Sequence, residues 1–168
     1  MPILTLENIT FKYSKKDPFI LKINQLTLNK NEHLFISGES GSGKTTVSNI
    51  MTGLSKPSSG KLNILNQNIN TLTNSQKDIF RATHFGIIFQ QFNLIPFLNV
   101  KENIILPCTF SKTKKEKVLQ KNTTLNKEAI RLCNELDINS ELQKKHIKQL
   151  SIGQQQRVAI ARALIGQP

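Results

Sequence analysis

Within residues 38–46 the chain sets three glycines ahead of a lysine and two threonines: Gly38-Glu39-Ser40-Gly41-Ser42-Gly43-Lys44-Thr45-Thr46. That spacing suits one chemistry, the capture of a phosphate chain. Glycines at these intervals let successive backbone N–H groups turn inward around an anion with no Cβ in the way. Lys44 can reach the outer phosphates, and the Thr45 hydroxyl is placed to ligate Mg²⁺. The run therefore implies a nucleoside triphosphate. The competing reading, a Gly/Ser-rich turn with no ligand, would have to place Lys-Thr-Thr at a helix start by chance.

A second group of polar residues lies near the other end, where Leu150-Ser151-Ile152-Gly153-Gln154 leads into an apolar-periodic run that reaches Leu164. Ser151 has the character of an N-cap, and a residue without Cβ at Gly153 leaves the helix start open to an anion. Nothing in the spacing says whose phosphate it would meet. By itself the stretch also reads as an ordinary capped helix.

These groups need elements to hold them. Leu34-Phe35-Ile36 reads as a short apolar strand, and Val47, Ile50, Met51 and Leu54 recur at helical spacing, so the phosphate loop falls between strand and helix. The positive end of that helix would then face the anion. Pro57-Ser58-Ser59-Gly60 is expected to break it. Ahead of the loop, Ile3-Leu4-Thr5-Leu6 and Leu26-Thr27-Leu28 alternate as edge strands do, and Leu62 and Ile64 form a strand closing at Asn66-Gln67-Asn68. Residues 75–82 suggest a helix before a buried strand at 85–89, and Asn99 with Glu102 forms a capping box. From Lys112 to Lys148 the chain is lysine-rich and free of glycine, with Ala129, Ile130, Cys133 and Leu136 on one helical stripe.

Taken together, the two motifs resemble the ATP-binding-cassette family over the whole chain. The resemblance implies an α/β P-loop fold, with an N-terminal antiparallel β part and a helical subdomain, as a single domain over 1–168. Within it the nucleotide-binding core and β part would occupy 1–92, the helical subdomain 93–150, and the signature motif with its helix 150–168. It places Tyr13 where the family stacks an aromatic on adenine, and Gln90 where the Q-loop glutamine helps ligate Mg²⁺ and senses the γ-phosphate. Ser151, Gly153 and Gln154 match the signature that caps ATP held by the opposite subunit of a head-to-tail dimer. Ile152 departs from the pattern, standing where the first of two glycines is usual. A lone tyrosine near a strand usually packs, and Tyr13 and Gln90 would each mean little outside this context.

The family pattern continues into a strand ending in an aspartate and a glutamate, and then to a switch histidine. Residues 1–168 contain no acidic pair after an apolar strand, and His33, His84 and His146 do not fall at the switch position. The expectation is a cassette incomplete at its C-terminus that binds ATP and does not hydrolyse it alone. The branch most similar around Phe85–Pro96 and Glu102-Asn103 serves lipoprotein release and macrolide export. A membrane permease subunit is the implied partner, meeting the region Phe92–Asn103, with a homodimer or paired cassette and a place on the cytoplasmic face of the membrane. Burial within the subdomain accounts equally well for the apolar run Phe92–Leu98. The alternatives are a noncatalytic fragment that binds only ATP or a partner, and a cassette acting on ribosomes or DNA.

Lys and Arg number 23 against 11 acidic residues, a formal net charge of +12. Such a balance permits anionic partners, yet no aromatic platform, zinc pattern or recognition helix accompanies it, and no specific nucleic acid is expected. Lys112, Lys114, Lys115, Lys117 and Lys121 read as a solvated face. Cys108 and Cys133 lack metal spacing and fit a reducing compartment. No apolar stretch is long enough to span a bilayer, so attachment would come through a partner.

Overall fold

The computed structural model describes residues 1–14, 18, 20–120 and 123–168. Lys15-Lys16-Asp17-Pro18, whose composition reads as a turn separating the first two strands, lies largely outside the described residues, as does Lys121. The chain forms two compact units, Met1–Lys77 and Asp78–Pro168.

The first unit is built on an antiparallel sheet. Strands β1 (Pro2–Phe11), β2 (Leu21–Asn29), β3 (Ser59–Ile64) and β4 (Gln67–Asn68) lie in the order β2-β1-β3-β4. The segment expected as an edge strand, Ile3–Leu6, is instead interior, paired to β2 on one side and β3 on the other. Its buried residues are Leu4, Leu6, Ile9 and Phe11, which switch from even to odd positions. Strict alternation would send Ile9 and Phe11 to the opposite face. The β1–β3 register shifts between Glu7 and Thr10, and Asn8 at φ 50° takes up the extra residue. Gly60 faces this bulge at φ 97°, and a Cβ there would lie 2.5 Å from the Asn8 carbonyl oxygen.

Helix α1 (Lys44–Met51) buries Thr46 and Ile50. It stops earlier than its apolar spacing suggests: Thr52 caps it, with its hydroxyl donating to the Ser48 carbonyl at 2.9 Å, and Gly53 turns left-handed at φ 68°. Leu54 is left exposed beyond the helix, and the Pro57–Gly60 breaker falls after the stop.

Two sequence expectations are corrected. Leu34-Phe35-Ile36 and residues 85–89 carry no strand ladder among the described residues; Phe35 is 90% exposed, and Ile88 and Phe89 are exposed as well. An apolar run supplies the propensity for a strand, but a strand exists only against a neighbour whose backbone accepts and donates in register.

Helix α2 (Asn74–His84) covers the expected 75–82 and runs past it. The second unit continues with α3 (Val100–Ile105), α4 (Pro107–Phe110), α5 (Lys112–Leu119), α6 (Leu125–Glu135) and α7 (Ile152–Leu164). One apolar cluster joins them, drawing Val100 and Ile104 from α3, Val118 from α5, Leu132 from α6 and Val158 from α7. Ala129 and Cys133 lie on the buried face of α6 as expected, but Ile130 is exposed and Leu132 takes its place. Lys114 departs from the solvated lysine face, because its side chain is buried. The helix starts follow local chemistry. Asn99 and Glu102 form a reciprocal capping box on α3, and Ser151 and Gln154 form another on α7. None of the described helices is long and apolar enough to cross a membrane.

Candidate functional site

In the first unit the Gly38–Thr46 run leads directly into the N-terminus of α1. Gly41 and Gly43 take φ values of 80° and 96°, backbone that side-chain-bearing residues rarely adopt. Gly43 is the N-cap and makes no side-chain cap, so the first-turn donors of α1 are not covered by a capping group. Lys44 folds back over the loop, its Nζ donating to the carbonyls of Gly38 at 2.8 Å and Glu39 at 2.6 Å. The Ser42 amide closes the loop on the Glu39 carbonyl at 3.2 Å. The ammonium therefore sits at the loop mouth on neutral carbonyls rather than on a carboxylate. Such bonds can be exchanged for a phosphate, which is a stronger acceptor.

The two threonines face different ways. Thr45 is exposed on the first turn, where its hydroxyl suits a hard cation that keeps most of its water and takes its remaining ligands from phosphate. Among the described residues no cluster of three or more His, Cys, Asp or Glu could hold a metal by itself. Thr46 is buried, its Oγ1 hydrogen-bonded to the Tyr13 hydroxyl at 2.6 Å. Tyr13 also meets Phe11 edge-on, with ring centroids 4.9 Å apart and planes at 86°, and remains 64% exposed. The tyrosine is thus tied to α1 through its hydroxyl and to the end of β1 through its ring.

In the second unit Gln90 is exposed within a turn from Phe89 to Phe92 closed by an amide–carbonyl bond of 2.9 Å. The signature residues lie at the start of α7. Ser151 Oγ accepts from the Gln154 amide at 3.3 Å, and Gln154 Oε1 accepts from the Ser151 amide at 3.0 Å. Both polar side chains are thus used in the cap. Ile152 is 76% exposed, and a Cβ built on Gly153 would meet nothing within 4 Å. Packing among the described residues does not demand a glycine there.

Three polar residues organise the second unit in roles that the sequence motifs do not show. Asn103, fully buried, accepts from the Ile95 amide at 2.7 Å and donates to the carbonyls of Ile95, Leu98 and Asn99 at 3.0, 3.2 and 3.1 Å. It thereby shapes the apolar run 92–98, in which Leu94 packs on the core while Phe97 is 76% exposed. Lys114 donates Nζ to the Phe85 carbonyl at 2.7 Å, and Arg162 bonds the carbonyls of Phe92 and Asn93. A charged residue within the apolar period of α7 is the one sequence signal that could have singled out Arg162. The cysteines are buried, and burial pushes the Cys133 thiol up to about 11, leaving it protonated and a poor nucleophile.

A glycine-rich loop opening a helix beside an antiparallel sheet, with a helical unit following in the chain, defines a P-loop nucleotide-binding architecture. The profile of the ABC transporter family matches residues 21–168. Over 168 residues the chain is 37% identical to an uncharacterized ABC transporter ATP-binding protein of Methanocaldococcus jannaschii, MJ0796, covering 99% of this chain and 70% of that one. It is 35% identical over 170 residues to the lipoprotein-releasing system ATP-binding protein LolD of Francisella tularensis, again spanning 99% and 70%. With the macrolide export ATP-binding/permease protein MacB of Pasteurella multocida it shares 36% over 166 residues, 98% of this chain but 24% of that protein. A dimeric structure of the MJ0796 cassette bound to ADP and Pi superposes with a TM-score of 0.76 at 35% identity, over 98% of this chain and 70% of that one. The chain belongs to the ABC transporter family, as an ATP-binding domain of the lipoprotein-release and macrolide-export branch.

Proposed function

We propose that residues 1–168 bind MgATP as the nucleotide-binding part of an export or lipoprotein-release transporter, and that binding is coupled to a membrane permease. The observation that carries this reading is the loop at α1, with left-handed Gly41 and Gly43, an N-terminus without a side-chain cap and Lys44 held at its mouth on exchangeable carbonyls. In this assignment Gly38, Glu39, Ser40, Gly41, Ser42 and Gly43 enclose the phosphates, while Lys44 and the first-turn amides through Thr46 neutralise them. Thr45 and Gln90 ligate Mg²⁺, and the Tyr13 ring stacks on adenine. Ser151, Gly153 and Gln154 approach the nucleotide of a second cassette, which fits the open space over Gly153. The functional division is 1–92 for the core, 93–150 for the helical subdomain and 150–168 for the signature and its helix. The permease, met through the exposed part of 92–103, holds the protein on the cytoplasmic face of the membrane.

The role in trans is tested by sedimentation with and without MgATP. The expected result is nucleotide-dependent pairing of chains that Gly153→Asp abolishes, since a carboxylate there would oppose the incoming phosphate. Pairing equal to that of the unsubstituted chain would overturn it.

A further inference from the structure

Gln90 stands at the corner of a turn whose far side is held in an unfavourable conformation. The turn closes through the Phe92 amide on the Phe89 carbonyl at 2.9 Å, and the Asn93 amide then donates to the Gln91 carbonyl at 2.6 Å. Phe92 and Asn93 are successive non-glycine residues in left-handed backbone, at φ 59° and 47°. Such residues persist only where their surroundings over-determine them.

The holding group comes from the last turn of α7. Arg162 donates Nη1 to the Asn93 carbonyl at 2.6 Å and Nη2 to the Phe92 carbonyl. The ion pairs among the described residues do not include Arg162. Its guanidinium is spent on two neutral carbonyls, and burial holds its pKa below that of an ordinary arginine. A planar fork matches two adjacent carbonyls, which a lysine ammonium does not. The start of the same segment is also pinned. Lys114 holds the Phe85 carbonyl at 2.7 Å, and a Cβ on Gly86 would lie 2.1 Å from the Ala163 carbonyl oxygen.

We propose that Arg162 is a positioning residue for Gln90: its fork fixes the left-handed bend that presents the glutamine and ties that bend to the helix opened by Ser151 and Gly153. The proposal rests on the reading of Gln90 as an Mg²⁺ ligand. The backbone part of the claim does not depend on that reading.

Two measurements on the 168-residue chain test it. In amide hydrogen exchange without nucleotide, Arg162→Ala raises exchange at Phe92 and Asn93 by about tenfold or more, the loss of a charged hydrogen bond, while the first turns of α7 keep their protection. Unchanged exchange at Phe92 and Asn93 overturns the proposal whatever the nucleotide result. In ATP titrations the ratio of affinity with Mg²⁺ to affinity with EDTA falls towards one in Arg162→Ala. Asn93→Gly, which removes part of the backbone strain, restores some of that ratio in the Arg162→Ala background. A merely structural arginine would weaken both affinities alike, show no such rescue, and refute the positioning role. Arg162→Lys, which keeps the charge but not the fork, gives the same test if Arg162→Ala does not fold, with exchange raised less than in the alanine variant. An unsubstituted chain that binds no ATP would instead fail the proposed function, leaving the exchange result to decide the backbone claim.

Discussion

At the scale of single residues, the pair Tyr13 and Thr46 links the adenine assignment to the phosphate loop. The Tyr13 hydroxyl satisfies a buried threonine at 2.6 Å, so the side chain proposed to meet adenine also packs on α1. Those roles separate by substitution. Tyr13→Phe should lower unfolding stability by about 1 kcal/mol through the lost hydrogen bond while leaving ATP affinity nearly unchanged. Tyr13→Ala should weaken ATP binding by about 1–3 kcal/mol and leave bare triphosphate unaffected. Denaturation and titration together check both. His84 gives a prediction in pH. Burial lowers its pKa, and the nearby Lys117 and Lys114 charges lower it further. A histidine whose folded pKa lies below its unfolded value resists protonation only in the folded state, so stability is full above the unfolded value, about 6.5, and falls as pH drops through it. Urea unfolding from pH 8 to pH 5 should show that decline, and His84→Gln should flatten it.

Among the elements, those whose signals are local were legible and those that depend on a neighbour were not. The loop, the Asn99–Glu102 box, the Ser151 cap and the strand at Leu62 and Ile64 follow from residues within a few positions of each other. The segments 34–36 and 85–89 have the composition of strands and no ladder among the described residues, because pairing is a property of two segments. Periodicity on α6 placed Ala129 and Cys133 correctly but chose Ile130 over Leu132, since a stripe read at fixed spacing cannot see which side the α3 and α7 contacts will cover. Asn103 was missed for a similar reason: its four bonds go to backbone groups of 95–99, which carry no sequence signature. Asn103→Leu should lower stability by about 3 kcal/mol by leaving the Ile95 amide and nearby carbonyls without their partner. Thermal unfolding would check it, and a loss well under 1 kcal/mol would show that water replaces those bonds.

For the molecule as a whole, the two units divide the proposed roles. Met1–Lys77 carries the phosphate loop and Tyr13, while Asp78–Pro168 carries Gln90, the signature and the Arg162 clamp. The family was legible from the order of these motifs along the chain. The clamp was not, because Arg162 is separated by 70 residues from the Phe92 carbonyl it binds. The chain spans 70% of the length of its cassette relatives MJ0796 and LolD and 24% of the ATP-binding/permease protein MacB. Its own ability to take up nucleotide is therefore the claim on which dimerisation, permease coupling and the positioning of Gln90 all depend. The most direct test is calorimetric titration of the 168-residue chain with MgATP, beside Lys44→Ala. Saturable binding at one nucleotide per chain, abolished in Lys44→Ala with the fold intact by circular dichroism, is the predicted result. No binding by the unsubstituted chain, or equal affinity in Lys44→Ala, would contradict the account.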